Sequence, residues 1–426
     1  MPACRRLSAL MVFVSISSIA HAGDWPQLRG RGGAATAADS KLPIHWSDSN
    51  VLWNTPIPGL GISSPAVSGD AVYITHSNAD GTQRTLARYN AGTGAEEWKR
   101  TLPFHTHAKH KKNSFATGTP AIDGDRVVVL FADGEKFLVS CYSAKGDLFW
   151  QKDVGGFNAD HGFGGSPIIE GGKVYFAKEQ DVKPFDPKGP FAKMKAVGSS
   201  LYAFDLKTGE KVWQTDYRVS RATYSTPTVY RGPDGQTCLV CSHSFTGLAG
   251  YDLQTGKRLW KCDGFELRTV GMPIQSGTIV AGTAGEGGGG KTFLAVDLAS
   301  SPTGDAELQP VYTLTKEIPY CPTPIAVGDR FYFVTDIGMA GCVDAKSGKV
   351  IWSERLGGKH AASPVFANGA IFFLSEDGDV KAIKPGDHLE KLAAFHLNDH
   401  FLATPAVVDG RMYLRGEANL WCIGAK

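Results

Sequence analysis

The sequence predicts an all-β fold, a single eight-bladed β-propeller of four-stranded antiparallel blades whose last blade is closed by an N-terminal strand. Three observations predict it. A Ser/Thr-Pro marker returns at regular spacing, a hairpin turn follows each marker, and an Asp-turn-Gly motif recurs that ends on tryptophan. With 51 Gly, 23 Pro and 10% aromatic residues in 426, the composition suits many short strands joined by tight turns. A chain of this length would ordinarily divide into two or three domains, but closed repeat architectures grow as one unit.

The markers are Ser64-Pro65, Thr119-Pro120, Ser166-Pro167, Thr226-Pro227, Thr323-Pro324, Ser363-Pro364 and Thr404-Pro405, with Met272-Pro273 in the one gap. Their mean spacing of about 49 residues fits a four-stranded blade and its loops. After each Pro comes a short apolar run, a turn such as Asp123-Gly124 or Asn368-Gly369, and a second run such as Val72-Tyr73-Ile74. Those turn residues accept positive φ, as a tight hairpin requires.

The second half of each unit reads Ala203-x-Asp205 through Thr208-Gly209 to Trp213, repeated from Asp252 through Gly256 to Trp260 and from Asp344 through Gly348 to Trp352, with weaker copies ending at Trp98 and Trp150. This predicts a third strand, an Asp bonding its own turn, a Gly in the left-handed region, and a fourth strand carrying a large inward aromatic. Burying one Trp removes ~200 Å² from water, worth on the order of 5 kcal/mol as an upper value. Tyr312 and Leu392 occupy the Trp position in the fifth and seventh units, so looser docking is expected there. Val51-Leu52-Trp53 precedes the first marker, whereas the last unit runs out at Trp421-Cys422-Ile423; one blade is therefore split between the chain ends, leaving no free sheet edge.

The Ala-x-Asp-x-x-Thr-Gly-x-x-x-Trp pattern resembles the PQQ-like, tryptophan-docking repeat of quinoprotein alcohol dehydrogenases and of the propeller lipoproteins of the outer-membrane β-barrel assembly machine. The resemblance covers nearly the whole chain after residue 22. It implies that each Trp wedges against the next blade. Activity is left open, because the fold hosts catalysts and scaffolds alike.

Arg5 and Arg6, the apolar stretch Leu10 to Ile19 and Ala20-His21-Ala22 read as a signal peptide over residues 1–22, so the propeller is assigned to 23–426 and a periplasmic or secreted location is expected. The apolar run is too short for a spanning helix. With 44 Lys+Arg against 42 Asp+Glu, no global field draws the chain to nucleic acid or an anionic bilayer. A monomer is expected. Seven cysteines follow residue 22, an odd number that leaves at least one thiol unpaired; Cys238 and Cys241 share a strand and point to opposite faces, which suits buried structural cysteines.

Several segments invite a chemical reading. Gly285 to Thr292 matches a phosphate-loop pattern letter for letter, but it leads into a strand where a phosphate loop opens a helix, so a hairpin loop is predicted. His105, His107, His110, Lys111, Lys112 and Asn113 lie in an unusually long connection; no carboxylate stands nearby in sequence, so no metal is predicted, and the readings are anion or partner contact or a solvated loop. The insertion from Lys178 to Ser199 is read as a lid or partner contact, or else as a mobile excursion. Residues just before each Pro should ring one channel mouth: Phe115, Phe163, Arg268, Tyr320, Lys359, His360, His400 and Phe401, with His161 and Tyr224 adjacent. That set is basic and aromatic with hardly an acid. It reads either as a plug or as a site for an anionic or aromatic ligand or a peptide.

The expectation is a non-catalytic exported scaffold binding a protein or peptide at the mouth, in envelope assembly, with no cofactor. The alternative is a dehydrogenase of alcohols or sugars using pyrroloquinoline quinone with calcium. By resemblance, such enzymes use adjacent cysteines and a calcium site of acidic residues with Asn; no two cysteines here are adjacent. No Ser/His/Asp or paired-carboxylate signature of a hydrolase or lyase is recognisable.

Overall fold

The computed structural model describes residues 23–181, 198–217, 219, 221–287 and 289–425. The expected signal peptide, and residues 182–197 of the insertion, lie outside them. Eight antiparallel sheets follow one another around a ring. In blade 3, Ile168–Glu170, Lys173–Lys178, Ser199–Asp205 and Lys211–Tyr217 run from the channel outward. The last blade takes Ala406–Val408, Arg411–Arg415 and Asn419–Gly424 from the C-terminal end and Val51–Pro56 from the N-terminal part, Trp53 pairing with Cys422. Among the described residues the helical elements are two short 3-10 turns, Arg31–Gly33 and Asp48–Asn50, and no helix is long and apolar enough to cross a membrane.

The Ser/Thr-Pro markers are the inner seam. The amide of each marker donates to the hydroxyl of the next: Ser64 to Thr119 (2.9 Å), Thr119 to Ser166 (2.9 Å) and Ser166 to Thr226 (3.0 Å). On the far side Met272 donates to Thr323, Thr323 to Ser363, Ser363 to Thr404, and Thr404 back to Ser64, each at 3.0 Å. Met272, lacking a hydroxyl, interrupts the circuit. The marker Ser and Thr residues are all buried, so each bond satisfies an amide that water cannot reach. The following Pro keeps the marker residue extended.

The tryptophans form the outer seam. Trp53, Trp98, Trp150, Trp213 and Trp352 each donate the indole N–H to a carbonyl of the next blade, at Ala91, Ala144, Leu206, Leu253 and Gly386, over 2.9–3.1 Å. For Trp53, Trp98, Trp150 and Trp213 the next blade's turn glycine lies against the ring. A Cβ at Gly256, whose φ is +70°, would stand 2.5 Å from Trp213. Glycine is thus required twice over, by its backbone angle and by the contact.

The two blades expected to dock loosely differ from that reading. Tyr312 makes the same link, its hydroxyl donating to Ala345 O (2.9 Å) with its ring against Gly348. In blade 7, where Leu392 stands, Trp46 from the N-terminal segment stacks on Phe372 (5.7 Å) and meets Phe395 edge-on. The seven cysteines after residue 22 are free thiols, and Glu286 pairs with Gly289 between the antiparallel strands Ile279–Glu286 and Gly289–Asp297.

The N-terminal segment also seals one end of the channel. Trp25 pairs with Val67, Pro26 O accepts from Ile122 N, Gln27 Oε1 from Ile169 N, and Thr36 and Ala37 run parallel to Phe366 and Ala367. Arg29, 1% exposed, donates to Gly33 O, Thr323 O and Pro324 O; burial lowers its pKa to about 9.

Two stability predictions follow from the seams. Ser166→Ala leaves the Thr119 amide buried without an acceptor and should cost about 1–3 kcal/mol in urea unfolding. Trp53→Ala removes the wedge of the split blade and should cost about 3–5 kcal/mol by the same measurement. Unchanged midpoints would show that the corresponding seam does not hold the ring.

Candidate functional site at the channel mouth

With one end sealed, the other mouth is the accessible end of the channel. The connection after blade 1 crosses it. Asn113 Nδ2 donates to His161 O (2.6 Å), the His110 ring lies 4.8 Å from the His161 ring, and Lys112 Nζ reaches Glu376 Oε1 of blade 7 (2.6 Å). His161 in turn stacks on Tyr224 (6.0 Å, 19°). The three loop histidines do not converge. His105 Nδ1 stands 3.4 Å from Glu135 and 3.6 Å from Asp133, His107 meets the edge of Phe115, and His110 lies over His161. Among the described residues no three His, Cys, Asp or Glu side chains come together as a metal site.

The ten mouth residues divide. His161, Tyr224, Arg268 and Tyr320 are half-buried around the opening, and Lys359 and His400 are exposed. Phe115, Phe163, His360 and Phe401 are turned into the fold. The His360 ring nitrogens face Leu374 O (2.9 Å) and Gly357 O (3.0 Å), so it offers a partner nothing. Lys359 and His360, like His400 and Phe401, are chain neighbours of which the first is exposed and the second buried.

The reading of the mouth as nearly free of acid is corrected. Asp160, next to His161 in its own connection, and Asp181, Asp336 and Glu376 from other connections meet the basic residues there. Asp160 Oδ2 lies 2.6 Å from Arg221 and 3.5 Å from Arg268, Arg221 is also 4.0 Å from Asp181, and Lys291 sits 2.9 Å from Asp336. Asp336 further accepts the amides of Tyr320 and Cys321. Burial alone would raise its pKa, but Lys291 and those amides outweigh it and hold the carboxyl below its ordinary range. Burial and the neighbouring Asp181 carboxylate raise Asp160 to about 6 against the pull of Arg221 and Arg268. Burial, with Arg268 and His110 beside it, lowers His161 to about 4. The described ends of the insertion are fixed here as well: Lys178 Nζ donates to Val154 O and Gly155 O, and Asp181 accepts the amides of Asp160 and Ala222.

The comparisons with known proteins agree with this architecture. The sequence model of the outer membrane protein assembly factor BamB family matches residues 28–183, 84–283 and 305–388. The chain belongs to that family. BamB of Burkholderia pseudomallei (strain K96243) is 23% identical over 345 residues, spanning 76% of this chain and 84% of that protein. The crystal structure of BamB from Moraxella catarrhalis superposes with a TM-score of 0.59 at 13% identity, over 87% of this chain and 98% of the other. A europium-containing methanol dehydrogenase superposes with a TM-score of 0.67 at 11% identity, over 95% and 99%. At such identities the two structures show a shared fold alone, whereas the BamB family match rests on sequence.

For this BamB-family mouth the raised Asp160 gives a sign that can be checked. Its folded pKa lies above the ordinary value, so the folded state holds the proton more tightly, and the contribution of Asp160 to stability falls as pH rises from about 4 to about 6. Asp160→Asn should therefore gain in melting temperature relative to the parent across that window. A constant difference between the two proteins would mean that Asp160 titrates normally.

Proposed function

We propose that this propeller is a non-catalytic, exported scaffold in envelope assembly, and that a protein partner docks on the roofed mouth and its surrounding turns. The observation that carries the reading is the crossed mouth itself. Two connections meet over it, so what it offers a partner is a surface of exposed Lys359, His400 and the turn residue Ile337 (65% exposed). Membership of the BamB family supports the assembly role and the envelope location.

The dehydrogenase reading asks for a quinone with calcium, and the residues at the mouth do not fit that pair. Asp160, Asp181, Asp336 and Glu376 each meet an Arg, a Lys or backbone amides, and among the described residues no three His, Cys, Asp or Glu side chains come together to cage a hard cation. The cavity beside the crossing loop is about 180 Å³, below the ~300–1,000 Å³ typical of cofactor-sized pockets.

The test is photo-crosslinking in the envelope. A photoreactive residue at Ile337 or Lys359 should capture an outer-membrane assembly partner, whereas one at Lys207, on a turn at the sealed end, should not. Equal capture from both ends would overturn the assignment to the mouth. Turnover of an alcohol or sugar by the purified protein with pyrroloquinoline quinone and calcium would overturn the scaffold reading.

A further inference from the structure

Between blade 8 and blade 1, under the crossing loop, lies the cavity of about 180 Å³. Leu60, Ile62 and Leu402 form its apolar wall, and Lys109, Lys111 and Lys112 enter from the loop. Lys109 is engaged by Asn113 O and Lys112 by Glu376. Glu417 is the acid in the lining, against four basic side chains.

The fourth is Arg415. It is 1% exposed, and its Nη1 donates to Thr75 O (2.5 Å) and Ser63 Oγ (3.3 Å). Nε and Nη2 are buried and meet no acceptor. Gly61, in the cavity lining, stands against the same group, since a Cβ there would lie 2.7 Å from Nη2. Asp399 does not relieve it, because its oxygens take the amides of Ala418 and Asn419 and the Trp421 indole N–H. Burial lowers the guanidinium pKa to about 10, which leaves it charged at neutral pH. Nε and Nη2 form one side of the guanidinium fork, the pair of parallel donors that a planar carboxylate accepts bidentately. A buried cation with that edge unpaired is costly, and an incoming carboxylate would remove the penalty.

We infer that this cavity is a carboxylate site, taking a C-terminal or side-chain carboxylate of an apolar peptide segment on Arg415, with Lys111 drawing it in at the rim. The apolar wall selects a peptide over a free inorganic anion. This deepens the proposed partner surface and rests on that reading. It is tested with small probes on the purified full chain, so its failure and a failed envelope crosslink are separate results.

The probes are N-acetyl-Ala-Leu-Phe with a free carboxylate and as its amide, N-acetyl-Leu-Glu-Phe-amide beside its Gln counterpart, and inorganic phosphate, all followed by calorimetric titration. At least one acidic probe should bind about tenfold or more tightly than its neutral counterpart and more tightly than phosphate. Arg415→Gln should abolish that preference. Because Arg415 is buried and its loss can impair folding, the exposed Lys111→Glu is the companion variant: it should weaken the acidic probe several-fold with the melting temperature unchanged. Equal binding of acid and neutral probes, no binding of either, phosphate binding as well as the peptide, or indifference to Lys111→Glu would each overturn the assignment.

Discussion

Ring closure is the constraint on which everything else depends, and the inner seam of hydroxyl bonds shows how tightly it is imposed. Seven of the eight marker amides bond the hydroxyl of the next blade, the last returning to the first, Thr404 to Ser64, and the junction from Thr226 to Met272 is the one without it. At those seven junctions a blade cannot shift along its neighbour without orphaning a buried donor. The outer seam repeats the demand with an indole N–H, a carbonyl and a glycine. A polar bond fixes position and the apolar ring supplies the burial that drives association. The two seams enclose each blade from the channel side and from the rim.

The same constraint shapes the functional surface. A closed ring leaves a channel, and this chain occupies both ends of it. The segment from Trp25 to Ala37 sews across the inner strands at one end, with Arg29 held by carbonyls, and the connection bearing His110 and Lys112 crosses the other. What remains accessible on the mouth side is a set of turns held by a rigid scaffold, the arrangement from which binding surfaces are commonly made. Most of the acidic charges there are paired. Arg415, buried beneath them, has two guanidinium nitrogens that meet no acceptor.

The blades were legible from sequence because each rests on local rules that recur along the chain: a Pro that enforces extension and a turn that needs positive φ in all eight, and in most of them a polar residue that caps its own loop and a Trp. Even the split blade could be read, from the misplaced Val51-Leu52-Trp53. The mouth was less legible. Its acids come from residues such as Asp336 and Glu376, which lie far in sequence from the lysines they meet and carry no marker. Pairs such as Lys359-His360 hide which member faces outward until the backbone is known. The sealing segment and Trp46 were invisible for a different reason: they belong to no repeat, and the segment's contacts run to five blades at once. Arg415 sits in a strand that reads as ordinary, and its open edge follows from what Asp399 bonds instead.

Amide hydrogen exchange of the full chain, with and without a purified outer-membrane assembly protein captured by the crosslinks, tests the proposed role of the mouth most directly. Binding at the mouth predicts added protection in the connection from His105 to Asn113 and in the turns around Ile337, Lys359 and His400, with Trp25 to Ala37 and the turn at Asp205 to Gly209 unchanged. Added protection confined to the sealed end or the outer strands would contradict it.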